Sequence, residues 1–180
     1  MPAPPGETER VFEYETRIAA SPETVFQFFT DPAKMVQWMG TDATLDPRPG
    51  GVCRINPTGR AAMSGEFLEV EPPRRLVFTW GWEARLFATP PQSTLVEVSL
   101  TPEGEETVVR LIHRRLQPGA LAFHRAGWEH YLPRLATAAR GGELPIDPWR
   151  AVTVNLRQLH KAGVPLIPLF LRNIYKRTLR

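Results

Sequence analysis

Residues 118–140 read PGALAFHRAGWEHYLPRLATAAR, and apolar side chains recur there at helical spacing. Leu121, Trp128, Leu132, Leu135 and Ala139 form the stripe, and Phe123, Gly127 and Tyr131 widen it. From residue 11 up to this stretch the chain reads mostly as short strands. A long amphipathic helix following an antiparallel strand series has to bury its stripe against the sheet, because neither element is stable alone. Whatever lies between that helix and that sheet is where function is to be sought. Pro133, inside the stretch, lacks the amide that would bond the Glu129 carbonyl, and its ring crowds that turn, so a kink is expected near Glu129 and Pro133.

The elements before the helix follow from local chemistry. Residues 11–19 alternate, with Phe12, Tyr14, Thr16 and Ile18 on one face and Glu13, Glu15 and Arg17 on the other, the pattern of a half-buried strand. Ser21-Pro22 supplies an N-cap and a first-position proline for a short helix bearing Val25, Phe26, Phe28 and Phe29. Asp31-Pro32 repeats the device for a second helix with Met35, Trp38 and Met39, ended by Gly40. Turns at Pro47-Arg48-Pro49-Gly50-Gly51 and at Asn56-Pro57-Thr58-Gly59 open a meander of strands at 61–71, 74–84, 94–101 and 107–115. Leu76, Phe78, Trp80 and Trp82 share one face, Val96, Val98 and Leu100 another, and Val109, Leu111 and His113 a third. In 61–71 two facings compete, Met63/Gly65/Phe67 against Leu68/Val70.

Strand, two short helices, antiparallel meander and long helix make an α+β helix-grip layout: a curved antiparallel sheet wrapped around a long C-terminal helix. The residues then resemble a known family. Ser21-Pro22-Glu23-x-Val25-Phe26, Trp38 and Pro49-Gly50-Gly51 resemble the START-like (SRPBCC) superfamily. The run from Gly65 through Pro72-Pro73 to Trp80, with His113 and Gly127-Trp128-x-x-Tyr131-Leu132, resembles its branch of activators of the heat-shock protein 90 ATPase. The resemblance covers about residues 11–140. Gln37-Trp38-Met39-Gly40 departs from the branch, which often carries paired tryptophans and then Gly-Pro there.

The resemblance implies a space between sheet and helix that takes an apolar or amphipathic small molecule. The candidate lining is Trp38, Phe67, Phe78, Trp80, Trp82, His113, Phe123, Gly127, Trp128 and Tyr131, with His113, Tyr131 and Ser64 as polar anchors. The same aromatics could be plain core, and His113 a core histidine bonded to a neighbour. Two alternatives stay open: a cofactor-independent cyclase or hydrolase using His113, and an interaction module of the chaperone-activator type. The activators engage the chaperone through a separate N-terminal domain, and only about ten residues precede the first strand here, so that role is not expected.

No enzyme motif supports the catalytic alternative. G-x-S-x-G is present only as the fragment Met63-Ser64-Gly65. His124 and His130 are six apart, on different helix faces, so they form no H-E-x-x-H zinc pair. No phosphate loop follows a strand, and neither cofactor nor metal is expected. Cys53, the one cysteine, can form no internal disulfide. Together with residues 1–10, which read as a flexible leader without a signal-peptide core, it suggests a cytoplasmic protein.

Charge separates the end of the chain from the rest. Residues 141–180 hold seven of the 22 Lys and Arg and two of the 19 Asp and Glu, so they carry +5 and the first 140 residues −2. They read as a basic helical extension: Gly141-Gly142 stops the long helix, Asp147-Pro148 starts another, and Trp149, Val152, Leu156 and Leu159 form its stripe. Packing on the domain or on a second copy, as a homodimer, is the expectation for it. An acidic partner or an anionic membrane surface contacted through 148–180 is the alternative. A nucleic-acid role is not expected, since no reading motif accompanies the charge.

Overall fold

The computed structural model describes residues 11–84, 89–117 and 119–150. Expectations for residues 1–10 and for the tail beyond residue 150 lie outside the described residues. The chain divides into two compact units, Met1–Pro145 and Ile146–Arg180. Within the second, the Asp147 carboxylate accepts from the Trp149 amide at 2.9 Å, the N-cap geometry expected of Asp147-Pro148.

In the first unit, strand β1 (Phe12–Ile18) buries Phe12 and Ile18 and turns Glu13, Glu15 and Arg17 outward. Helix α1 (Pro22–Thr30) starts where Ser21 Oγ accepts the Thr24 amide at 3.2 Å. Helix α2 (Pro32–Trp38) starts where Asp31 Oδ1 accepts the Ala33 amide at 2.8 Å. Both caps satisfy amides that a helix start leaves open, and both first-position prolines have none to satisfy. Gly40, at φ +101°, turns the chain out of α2.

Strands β2 (Asp42–Leu45), β3 (Val52–Asn56), β4 (Met63–Glu71), β5 (Arg75–Trp80), β6 (Thr94–Glu103) and β7 (Glu106–Arg114) complete an antiparallel sheet with β1. Its order is β1-β7-β6-β5-β4-β3-β2 over seven strands. The first two strands in sequence thus lie on opposite edges, and α1 and α2 carry the chain between them. A register shift between Phe67 and Glu69 bends β4, so its first half pairs with β3 and its second with β5. That bulge settles the facing of the strand. Met63 and Phe67 are fully buried and Leu68, at the bulge, is 39% exposed. Ser64 takes the opposite face from Met63 and Phe67 and is only half-buried, which removes it as an inward anchor.

The strand expected over 74–84 ends earlier, at Trp80. A Cβ on Gly81 would collide with the Pro90 carbonyl, so the returning loop leans directly on that glycine and breaks the ladder. Trp82 follows as an isolated bridge partner of Met63, and its amide bonds the Thr89 carbonyl at 2.7 Å.

Helix α3 (Leu121–Ala139) closes the fold and runs through Pro133 as one element. It buries His124, Trp128, Tyr131, Leu132, Leu135, Ala138 and Ala139. Leu121 and Phe123, expected in the stripe, are only half-buried, and it is His124 of the first turn that faces inward. Arg134 ties α3 to the other helices by donating to the Trp38 carbonyl at 3.2 Å. The outer sheet face is dressed with exposed pairs, among them Arg17–Glu103, Arg110–Glu13 and Arg54–Glu83. Each contributes little to stability, because water screens it.

Candidate functional site

Side chains of α3 meet those of β5 and β7 through aromatic rings. The inward alternation of β5 presents Phe78 and Trp80, with Trp82 beyond it, and α3 presents Phe123 and His124, with Trp128 one helical turn after His124. Trp80 meets Trp128 with ring centroids 5.1 Å apart, stands edge-on to Trp82 at 6.1 Å, and lies 6.0 Å from His113. Phe123 meets Trp82 edge-on at 5.7 Å, and Phe67 and Phe78 continue the series at 5.9 Å. Such edge-to-face contacts set the positive rim of one ring against the negative face of the next.

Two histidines sit at the centre. His113, on β7 between β1 and β6, is fully buried, and His124 is 4% exposed. Their rings lie edge to face, 4.9 Å apart. The hydrogen bonds fix both tautomers. Trp128 Nε1–H, which can only donate, gives its proton to His113 Nδ1 at 3.0 Å, so that nitrogen is bare. His113 Nε2 must then carry the hydrogen and donate it to Thr94 Oγ1 at 2.8 Å. The Thr94 hydroxyl in turn donates to the Trp80 carbonyl at 2.8 Å. In the same way Trp82 Nε1–H donates to His124 Nε2 at 3.3 Å, and His124 Nδ1–H donates to the Ala120 carbonyl at 2.8 Å.

Both imidazoles are therefore held neutral. Burial lowers the pKa of His113 well below its ordinary value, and the neighbouring His124 adds to this. Burial also lowers that of His124, partly opposed by the bond to the Ala120 carbonyl. A proton on His113 Nδ1 would point at the Trp128 N–H, a donor against a donor. The chemical consequence is plain: neither ring keeps a lone pair free to act as a general base.

One polar atom in this cluster has no partner. The indole Nε1 of Trp80 is buried and makes no hydrogen bond.

The sequence-based candidates divide into three groups. Trp80, Trp82, His113, Phe123 and Trp128 come together as described, with Phe67 and Phe78 alongside. Trp38 lies elsewhere, in the seam of α1 and α2, where its indole donates to the Phe28 carbonyl at 3.0 Å and its ring meets Phe29. Tyr131 is buried one turn further along α3, and its hydroxyl reaches the Pro57 carbonyl at 3.4 Å. Gly127 is half-buried, and a Cβ there would meet open space. Gly127→Ala is accordingly expected to stabilise the protein by about 1 kcal/mol, the difference in helix propensity, and to raise the melting temperature by roughly 3 °C. An unchanged or lower melting temperature would show that the position is not open.

His124 is the member that the sequence-based set lacks. Its signal was present, since it lies four residues before Trp128 on the same helix face. Among the described residues no group of His, Cys, Asp and Glu could hold a metal ion. Cys53 is buried, and burial pushes its thiol pKa up, so it behaves as a small apolar side chain. No described helix is long and apolar enough to cross a membrane.

The sheet, its bulge and the closing helix define a helix-grip protein of the START-like kind. Residues 19–140 match the family model described as "Activator of Hsp90 ATPase homolog 1-like protein", and the chain belongs to that family. Among solved structures it is similar to an AHSA1-like protein of Rhizobium etli, at 39% identity and a TM-score of 0.62, covering 78% of this chain and 88% of that one. It is similar also to CalU16 of Micromonospora echinospora, at 30% identity and a TM-score of 0.64, covering 79% and 71%. A Mesorhizobium loti protein at 23% identity shares the fold, with a TM-score of 0.66 over 75% of this chain and all of that one. No curated protein matches the sequence.

Proposed function

We propose that this protein binds a small apolar or amphipathic molecule between its sheet and α3, at the aromatic–histidine cluster, in the cytoplasmic setting expected from its sequence. The observation that carries the reading is the make-up of that interface. The sheet and helix meet through tryptophans, a phenylalanine and two neutral histidines, a lining that offers flat apolar surface and a few oriented polar atoms. The histidines keep no lone pair for a substrate, so the reading is one of binding rather than turnover.

Titration with a set of flat apolar probes tests it, read by tryptophan emission and by thermal shift. Micromolar binding is expected, with quenching that is lost in Trp128→Leu. Uniform failure of such probes to shift either readout would overturn the proposal.

A further inference from the structure

From the unpartnered indole of Trp80 we infer that the ligand carries a neutral hydrogen-bond acceptor, such as a ketone, aldehyde, ester or quinone oxygen, which docks on Trp80 Nε1–H. The inference rests on the binding reading above and names the chemistry of its ligand.

The donors and acceptors of the cluster can be matched one by one. The N–H groups of Trp82, Trp128, His113 and His124 all have acceptors, and the Thr94 hydroxyl has the Trp80 carbonyl. Both bare imidazole nitrogens are occupied by indole donors. A single donor is left over, Trp80 Nε1, on a residue 4% exposed, and it makes no hydrogen bond. Buried N–H groups are almost always paired, because an unpaired one loses its hydration without return. A ligand acceptor restores the balance, whereas a ligand donor would leave the Trp80 N–H unpaired.

The charge of the acceptor follows from the neighbours. The rings around Trp80 are Phe78, Trp82, His113 and Trp128, all uncharged, with His113 held neutral. A carboxylate placed among them would be desolvated with no counter-charge, so the acceptor is neutral.

Three probes of nearly one shape separate the cases: fluorene, fluorenone and fluorene-9-carboxylate, titrated into ¹⁵N-labelled full-length protein. Fluorenone is expected to bind about five-fold tighter than fluorene, the ratio that one neutral hydrogen bond supplies. It alone should move one indole N–H resonance downfield, and the carboxylate should bind weakest. Trp80→Phe should remove that resonance and equalise fluorene and fluorenone. If that variant does not fold, the wild-type ratio and the shifted resonance decide. Equal binding of fluorene and fluorenone would overturn the acceptor inference and leave the binding reading standing. Failure of all three to bind would overturn both.

Discussion

Lowering the pH from 8 to 5 is expected to destabilise the protein by about 2 kcal/mol through His113 alone, with His124 adding in the same direction. Each histidine is neutral in the fold, with its pKa depressed, and titrates near 6.5 once unfolded. Below that value the unfolded chain takes up a proton that the native ring refuses, so stability falls with pH at about 1.4 kcal/mol per unit for a ring that stays neutral. The stability is fully present above about pH 6.5 and is lost downwards from there. Two carboxylates act in a lower window. Glu13 and Glu83 are held below the usual range by hydrogen bonds from Arg110 and Arg54, so their contribution is lost only below about pH 4.5. Denaturant unfolding between pH 5 and 6.5 therefore isolates the histidines. His113→Gln should be less stable at every pH yet show a flatter slope across this range. A slope equal to that of the wild type would refute the assignment of the neutral pair.

Gly65→Ala is expected to cost about 3–5 kcal/mol, enough to prevent accumulation of folded protein. A Cβ at Gly65 would sit on the Thr79 carbonyl, with the Thr79 hydroxyl close behind. Those two groups cannot step aside. β5 is held by β6 on its other side, and Thr79 Oγ1 accepts the Glu66 amide at 2.9 Å. The methyl group therefore forces apart two strands in the middle of the sheet, just ahead of the bulge that bends β4. The same substitution at Gly127, on the open part of α3, is expected to stabilise. Circular dichroism melts of the two variants read both signs. A Gly65→Ala protein that melts within a few degrees of the wild type would show that β4 and β5 can separate at little expense.

The elements were legible where the cause is local. Ser21-Pro22 and Asp31-Pro32 start helices because capping atoms and missing amides lie within three residues of one another. Alternation in β1, β6 and β7 assigned their inner faces for the same reason. The facing of β4 was open because a bulge resets alternation, and nothing in the run from Met63 to Glu71 marks where it falls. The early end of β5 was hidden because Pro90 reaches Gly81 only when the loop folds back.

The site divides along the same line. Trp80, His113 and Trp128 meet because period two and period 3.6 turn them to the inward faces of β5, β7 and α3. Trp38 was a candidate beside Trp80, yet it packs between α1 and α2, a placement made by the path of the chain.

By itself the sequence determined a helix-grip domain closed by a long helix, with its aromatics turned inward, because hydrophobic period and capping chemistry are properties of neighbouring residues. Only the tertiary structure decided that His124 joins His113, that both rings are neutral, and that the Trp80 N–H alone in the cluster is left without a partner. Hydrogen-bond pairing is settled between atoms that are distant along the chain, and spacing carries no record of it.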